Sequence, residues 1–213
     1  MASGTVGSIT WNLNETSGEM TLTGSGAIPD YSSGGTPWNS YLNKIKTVGI
    51  GAGITVIGNY AFDSCEYLTH VSMADTVTSI NDYAFRYCYE LKAIRLSNSL
   101  TTIGDFVFYK DDELEYIIIP ASVTEIGMFS FNGCLSLTDI RFDGNQPILG
   151  NSSFALGKSS SQPTNAKVQT KGWGSDSVFT SSVKGDYTTF TYGELKPWRG
   201  LNVKVKGEWV NVS

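Results

Sequence analysis

Cys65 stands five residues before His70, the only histidine in the chain. A thiol close to an imidazole can form a nucleophilic dyad, the imidazole taking the thiol proton. The same pair can supply half of a metal site. Cys88 and Cys134 bring the cysteines to three, and an odd number does not make a closed disulfide framework. A second group, Asp111-Asp112-Glu113, offers the carboxylate oxygens that Ca²⁺ prefers. Which of these chemistries is open depends on where the chain carries each side chain.

The elements that position them repeat. Phe62, Phe85, Phe108 and Phe131 follow one another at a constant step of 23 residues. Ile57, Ile80, Ile103 and Ile126 keep the same phase, as do Leu68, Leu91, Leu114 and Leu137. Val71, Ile94, Ile117 and Ile140 follow it too, with Met73, Leu96, Ile119 and Phe142 two places on. Half-units flank the array: "IKTVGI" before it, with Ile45, Val48 and Ile50, and "ILGNSSF" after it, with Leu149 and Phe154. That makes four full units and two partial ones. A fixed period of this length marks a solenoid, because one unit cannot bury its apolar side alone and stacked units can. Each unit predicts a short strand of type "LxxIxI", a turn, and a return segment with room for little helix. The strands pair in parallel, about 4.8 Å apart.

The units resemble the BspA-type leucine-rich repeats of bacterial surface proteins. "IPASVTEIGMFSFNGCLSLTDIRF" follows that family's pattern, roughly "IPxSVTxIGxxAFxxCxxLxxIxIP", nearly position by position. The resemblance covers about residues 45–154, and the family's lead-in is matched by "ITWNLNETSGEMTLTGSGAIPDYSSGGTPWNSYLNKIKTV". It implies a mainly β leucine-rich-repeat solenoid whose short parallel sheet forms the concave face and the usual ligand surface. It also implies adhesion to host proteins or to other bacteria.

In this frame the cysteines share one column, with Asp111 filling it in the third full unit. A small residue at a repeated inward position is a packing residue, so free buried thiols are expected. Parallel rungs seldom give a disulfide its dihedral. His70 belongs to the strand side, away from Cys65, so no dyad and no metal site are expected. The acidic run, lacking "DxDxDG" spacing, reads as a solvated turn. Between the inward positions of the strands, side chains point outward. One outward column holds Thr47, His70, Ala93, Tyr116 and Asp139, the next Gly49, Ser72, Arg95, Ile118 and Arg141. From these, His70, Ser72, Arg95, Tyr116, Ile118, Asp139 and Arg141 are the candidate ligand-binding residues. Exposed Tyr and Arg are types favoured at interaction hot spots, and Ile118 is a large apolar residue at an outward position.

All five tryptophans lie outside the full units, where a solenoid needs caps over its open ends. Residues 1–42 read as an N-terminal cap containing a β-hairpin, "SITWNL" and "EMTLTG" joined by "NETSG". Residues 43–156 are the repeats. Residues 157–213 read as a β-rich C-terminal cap: a Ser-rich loop, then strands at "AKVQTKGWG" and "YTTFTYGEL", and a hairpin in "LNVKVKGEWVNVS" turning at Lys206-Gly207.

The chain has 213 residues, 40% hydrophobic and only 16% charged, with 23 glycines and a net charge of −5. An acidic surface argues against sequence-independent nucleic-acid binding, which needs Lys and Arg matched to phosphates. No window is apolar over the roughly 18 residues a membrane span needs. The start, "MASGTVGSITW", has neither a basic nor an apolar leader region; a trimmed export signal or another route out of the cell would account for that. No "GxSxG", "HExxH" or phosphate-binding loop occurs. The expectation is a non-enzymatic, cofactor-free recognition module at the cell surface or outside the cell, binding a protein partner of host or bacterial origin through the repeat face. Two alternatives stand beside it. One is a virion or prophage host-recognition protein, since "VKVKGEWVNV" resembles C-terminal segments of phage tail or surface proteins. The other is a carbohydrate-binding module using the C-terminal aromatics.

Overall fold

The computed structural model describes residues 1–145, 147–150 and 153–154, and beyond them the backbone of five strands. The N-terminal strands are β1 (Ala2–Val6), β2 (Ile9–Asn14) and β3 (Glu19–Gly24). β4 (Gly26–Ala27) and a 3₁₀ helix (Asn39–Lys44) lead into the repeats. The repeats alternate longer and shorter strands: β5 (Thr47–Ile50), β6 (Ile54–Ile57), β7 (His70–Met73), β8 (Ser79–Ile80), β9 (Ala93–Arg95) and β10 (Thr102–Ile103). They continue as β11 (Tyr116–Ile119), β12 (Glu125–Ile126), β13 (Asp139–Phe142) and β14 (Ile148–Leu149). The last strands are β15 (Lys167–Thr170), β16 (Phe179–Lys184), β17 (Tyr187–Tyr192), β18 (Leu201–Val205) and β19 (Glu208–Val212).

This is the expected solenoid. The longer strands pair in parallel and in repeat register, His70 opposite both Thr47 and Ala93. Five two-residue strands and the four-residue β6 form a second parallel sheet, β4-β6-β8-β10-β12-β14, on another side of each coil. The predicted hairpin is present as β2–β3, and β1, not foreseen in the sequence, adds a third antiparallel strand. β3 then pairs in parallel with β5, so the hairpin continues the repeat ladder and β1 becomes the edge strand of that sheet. At the far end β15 pairs in parallel with β13, and β18–β19 are antiparallel as the hairpin reading requires. The strand β16 was not foreseen. The Ser-rich loop and the Lys206-Gly207 turn lie outside the described residues.

One unit shows what fills the core. Val77, Ile80, Ala84, Phe85, Cys88, Leu91, Ile94 and Leu96 are all buried, and the same columns are buried in the neighbouring units. The phenylalanines stack ring on ring along the axis, with centroids 5.2 Å (Phe62–Phe85), 5.8 Å (Phe85–Phe108), 5.0 Å (Phe108–Phe131) and 4.7 Å (Phe131–Phe154) apart. Trp38 closes the stack at 5.6 Å from Phe62 and donates its Nε1–H to the Ala61 carbonyl at 2.8 Å.

A second, half-buried ladder runs alongside: Tyr60, Tyr83, Phe106 and Phe129. These residues hold left-handed backbone, with φ of 58°, 60°, 55° and 55°. That conformation costs an L-residue about 1–2 kcal/mol. It turns amides along the solenoid axis, so that Tyr60 and Phe62 N–H reach the Asp82 and Ala84 carbonyls of the next rung. Ring stacking, worth about 0.5–1.5 kcal/mol per pair, offsets part of the strain. Arg86 locks this flank: its guanidinium grips buried Asp63 through two hydrogen bonds, at 2.8 and 3.1 Å, and lies 4.8–5.4 Å from the ring centroids of Tyr60, Tyr83 and Tyr87.

Two expectations need correction. The concave sheet is not one continuous ladder: one sheet ends at β9 and another begins at β11. Pro120 removes one of the bonds that could bridge this seam. In the rungs of β7 and β13 the residue just past the strand donates backwards, Ala74 N–H to Ile50 and Asp143 N–H to Ile119. Pro120 occupies that place after β11 and has no N–H to donate. The second correction concerns Asp111, predicted in a solvated turn. It is fully buried, because its column, not its charge, decides where it points.

Candidate functional site

The concave face is built from alternation. In β7, β11 and β13 the pattern is exposed, buried, exposed, buried. This puts His70, Ser72, Tyr116, Ile118, Asp139 and Arg141 outward, and Arg95 does the same in β9. The structure therefore places all seven candidates on one face. Six of them line a trough of about 610 Å³ together with Glu19, Thr21, Thr47, Gly49, Ala93, Asn98 and Asp143. Asp139 is exposed on the same face but outside the trough's lining.

The trough is asymmetric. Its N-terminal floor carries the short side chains of Thr21, Thr47, Gly49, Ser72 and Ala93, with His70 and Arg95 standing among them. The C-terminal wall is Tyr116 and Ile118, 46% and 36% exposed. The wall and the floor meet across the β9/β11 seam. Charged groups on its flanks are already held. Arg95 donates to the Met73 carbonyl and to Asp75 Oδ1, the latter at 3.1 Å. Asp75 also accepts the backbone and side-chain N–H groups of Asn98, at 3.0 and 3.1 Å. Those Asn98 bonds first, and the Arg95 guanidinium after them, hold its carboxyl below the usual range. Arg141 pairs with Asp143 at 2.8 Å. Both arginines of the face are thus oriented by carboxylates, and Glu19 and Asp139 add acidic groups beside them.

Gly49 was missed as a site residue. Gly51, two places on, has no choice: a Cβ there would sit 2.8 Å from the Leu22 carbonyl oxygen. At Gly49 the nearest atom to an added Cβ is the Thr21 methyl at 3.9 Å, an ordinary contact. Glycine inside a strand costs roughly 0.5–1 kcal/mol relative to alanine, and packing does not demand it here. Glycine inside a strand often marks a bulge, a bend or a place where a ligand comes close. Its signal in the sequence was its place in the outward column.

The thiol and the imidazole are kept apart by the fold. Cys65 is fully buried, its thiol pushed far up by burial and then by Asp63. His70 is exposed, with Nδ1 3.0 Å from Thr69 Oγ1. All three cysteines are free. Cys88 Sγ donates to the Phe62 carbonyl at 3.4 Å and Cys134 Sγ to the Phe108 carbonyl at 3.0 Å. All three are buried packing residues, and the Cys88 and Cys134 thiols have a satisfied donor. Among the described residues no group of three His, Cys, Asp or Glu is arranged to hold a metal. No helix among them is long and apolar enough to cross a membrane.

Comparison with known proteins agrees with this geometry. The sequence model of the BspA type leucine rich repeat region matches six copies across residues 40–161, more than half of the chain. The chain belongs to the BspA-type leucine-rich repeat family. A leucine-rich repeat protein from Eubacterium ventriosum shares 30% identity and superposes with a TM-score of 0.54 over 65% of this chain. This BspA-type chain spans only 42% of that protein's length. Leucine-rich repeat proteins from Bacteroides ovatus (24% identity, TM-score 0.52, 80% of this chain and 50% of that one) and from T. pallidum (21%, 0.52, 74% and 92%) share the fold. No curated protein matches the sequence. Membership of the BspA-type family points to a surface or protein-interaction role.

Proposed function

We propose that the chain is a non-enzymatic recognition module, displayed at or outside the bacterial surface, that binds a protein partner through the concave trough. The observation that carries this reading is the trough's construction. A large apolar and aromatic pair, Tyr116 and Ile118, is left exposed beside a floor of mostly short side chains that includes a glycine packing does not require. Aromatic and apolar anchors rimmed by satisfied polar pairs are the usual make-up of an interaction hot spot. A trough of about 610 Å³ admits a short loop of a partner. The sugar-stacking alternative rests on Trp173, Trp198 and Trp209. The first two lie outside the described residues, and of Trp209 only the strand backbone is described.

Beads coated with the protein should adhere to epithelial cells or to whole bacteria, and protease treatment of the target cells should abolish that adhesion. Tyr116→Ala and Ile118→Ser should each reduce it about tenfold, as hot-spot truncations do. Their unfolding midpoints should stay near that of the parent, because both side chains are exposed. Adhesion unchanged in both variants would contradict the reading. Loss on periodate treatment in place of protease would transfer the partner to carbohydrate.

A further inference from the structure

Asp111 is an acid in a column of thiols. It is fully buried. Its Oδ1 accepts the Cys88 backbone N–H at 3.0 Å. Its Oδ2 is buried without a hydrogen-bond partner. A lone buried acceptor is costly, and a buried carboxylate without a counter-charge is costlier.

The repeat identifies what Oδ2 faces. From Cys88 to the Phe62 carbonyl and from Cys134 to the Phe108 carbonyl, the side-chain bond spans 26 residues. The same span carried back from Asp111 reaches Phe85. In the other units the residue in this column also gives its own amide to the preceding phenylalanine: Cys65 to Phe62, Asp111 to Phe108, Cys134 to Phe131. In the Phe85 unit that amide, Cys88 N–H, has been diverted to Asp111 Oδ1. Two buried acceptors, Asp111 Oδ2 and the Phe85 carbonyl, thus occupy places that one proton would satisfy together.

We propose that Asp111 is a buried proton-binding site: the neutral acid donates Oδ2–H to the Phe85 carbonyl in place of a cysteine thiol, and loss of that proton loosens the β9/β11 seam. Burial first pushes the carboxyl well above the usual range, and Asp112 beside it adds to the push, against the Cys88 N–H. The other titratable groups around it are the thiols of Cys88 and Cys134, both pushed up first by burial. Lys110, next in the chain, lies over the Tyr109 ring, and Arg86 is committed to Asp63. The seam matters because Pro120 already withholds a ladder bond there. Asp111 also holds the turn into β11, its carbonyl taking the Leu114 N–H at 3.1 Å.

The sign follows from linkage. The folded protein keeps a proton that the unfolded chain, with an ordinary carboxyl near 3.9, releases. The contribution is complete below that value and declines as pH rises, by about tenfold in the folding constant per pH unit, until the folded carboxyl itself titrates. Asp111→Asn mimics the neutral acid, its amide N–H replacing Oδ2–H and its carbonyl keeping the Cys88 N–H. Asp111→Cys restores the column and serves as a second variant should the amide pack poorly. Chemical denaturation of the full chain between about pH 5 and 8 should show the parent losing stability relative to both variants as pH rises. The Asp111 carboxyl carbon, followed by NMR in the parent, should still report a protonated acid at neutral pH. Identical pH profiles for parent and variants, or a carboxyl titrating in the ordinary range, would overturn the proposal.

Discussion

Phe108→Ala is expected to lower folding stability by about 3–5 kcal/mol, the range for truncating a buried phenylalanine. Phe108 has no solvent exposure and stacks on Phe85 at 5.8 Å and on Phe131 at 5.0 Å. In a solenoid each unit contacts only its neighbours, so removing one ring weakens two interfaces at once. The loss should appear as a lower midpoint in chemical denaturation. Hydrogen exchange should quicken most in the strands on either side, from Ala93–Arg95 to Asp139–Phe142. Tyr83→Ala, in the half-exposed ladder, removes less buried area and also relieves nothing at its left-handed φ of 60°; its loss should be clearly smaller. Equal losses from the two variants would mean that the inner stack is not the principal spine.

Trp38→Ala is expected to cost a comparable amount, about 3–5 kcal/mol, and to act at one end. Trp38 is fully buried, stacks on Phe62, and meets Trp11 and Tyr31 edge-on at 6.1 and 6.0 Å. Its indole N–H is the donor to Ala61, so truncation also strips a buried carbonyl, a penalty of about 1–3 kcal/mol. The effect should be polarised. Amides of β5 and β7 should exchange faster while those of β11 and β13 hold, which hydrogen exchange read by mass spectrometry resolves. Trp38→Phe should recover the stack and not the hydrogen bond, falling between the two. Uniform opening along the whole array would contradict the role of an end cap.

Much of this architecture was legible because the period turns position into burial. The phenylalanine column alone places the spine, and the inward columns follow from it at the same step. The outward columns are equally readable, which is why His70, Arg95, Tyr116 and Ile118 could be placed on one face. The failures have physical causes. Asp111 was read by its charge, whereas register overrides side-chain type in a packed array and leaves the chemistry to adapt by holding a proton. One contribution to the seam was readable in principle: Pro120 lacks the N–H that Ala74 and Asp143 supply in equivalent places. The left-handed turns were half-visible. Gly133 fills a slot that Ser64, Tyr87 and Lys110 occupy at φ near 61°. Nothing about a tyrosine or phenylalanine announces the other slot, where stacking outweighs backbone preference. Gly49 was visible as an outward residue, but only its free space separates it from Gly51, where crowding compels glycine.

That contrast gives the most direct test of the recognition face. Gly49→Thr puts a β-branched side chain, suited to a strand, on the floor of the trough where no atom lies closer than 3.9 Å to the new Cβ. Adhesion and unfolding should be measured on the same preparations. The account predicts stability equal to the parent or up to about 1 kcal/mol higher, as expected when a strand glycine is replaced, together with loss of adhesion. Adhesion that survives Gly49→Thr while Tyr116→Ala abolishes it would confine the contact to the wall. Full adhesion in both, with folding intact, would contradict the concave trough as the recognition surface.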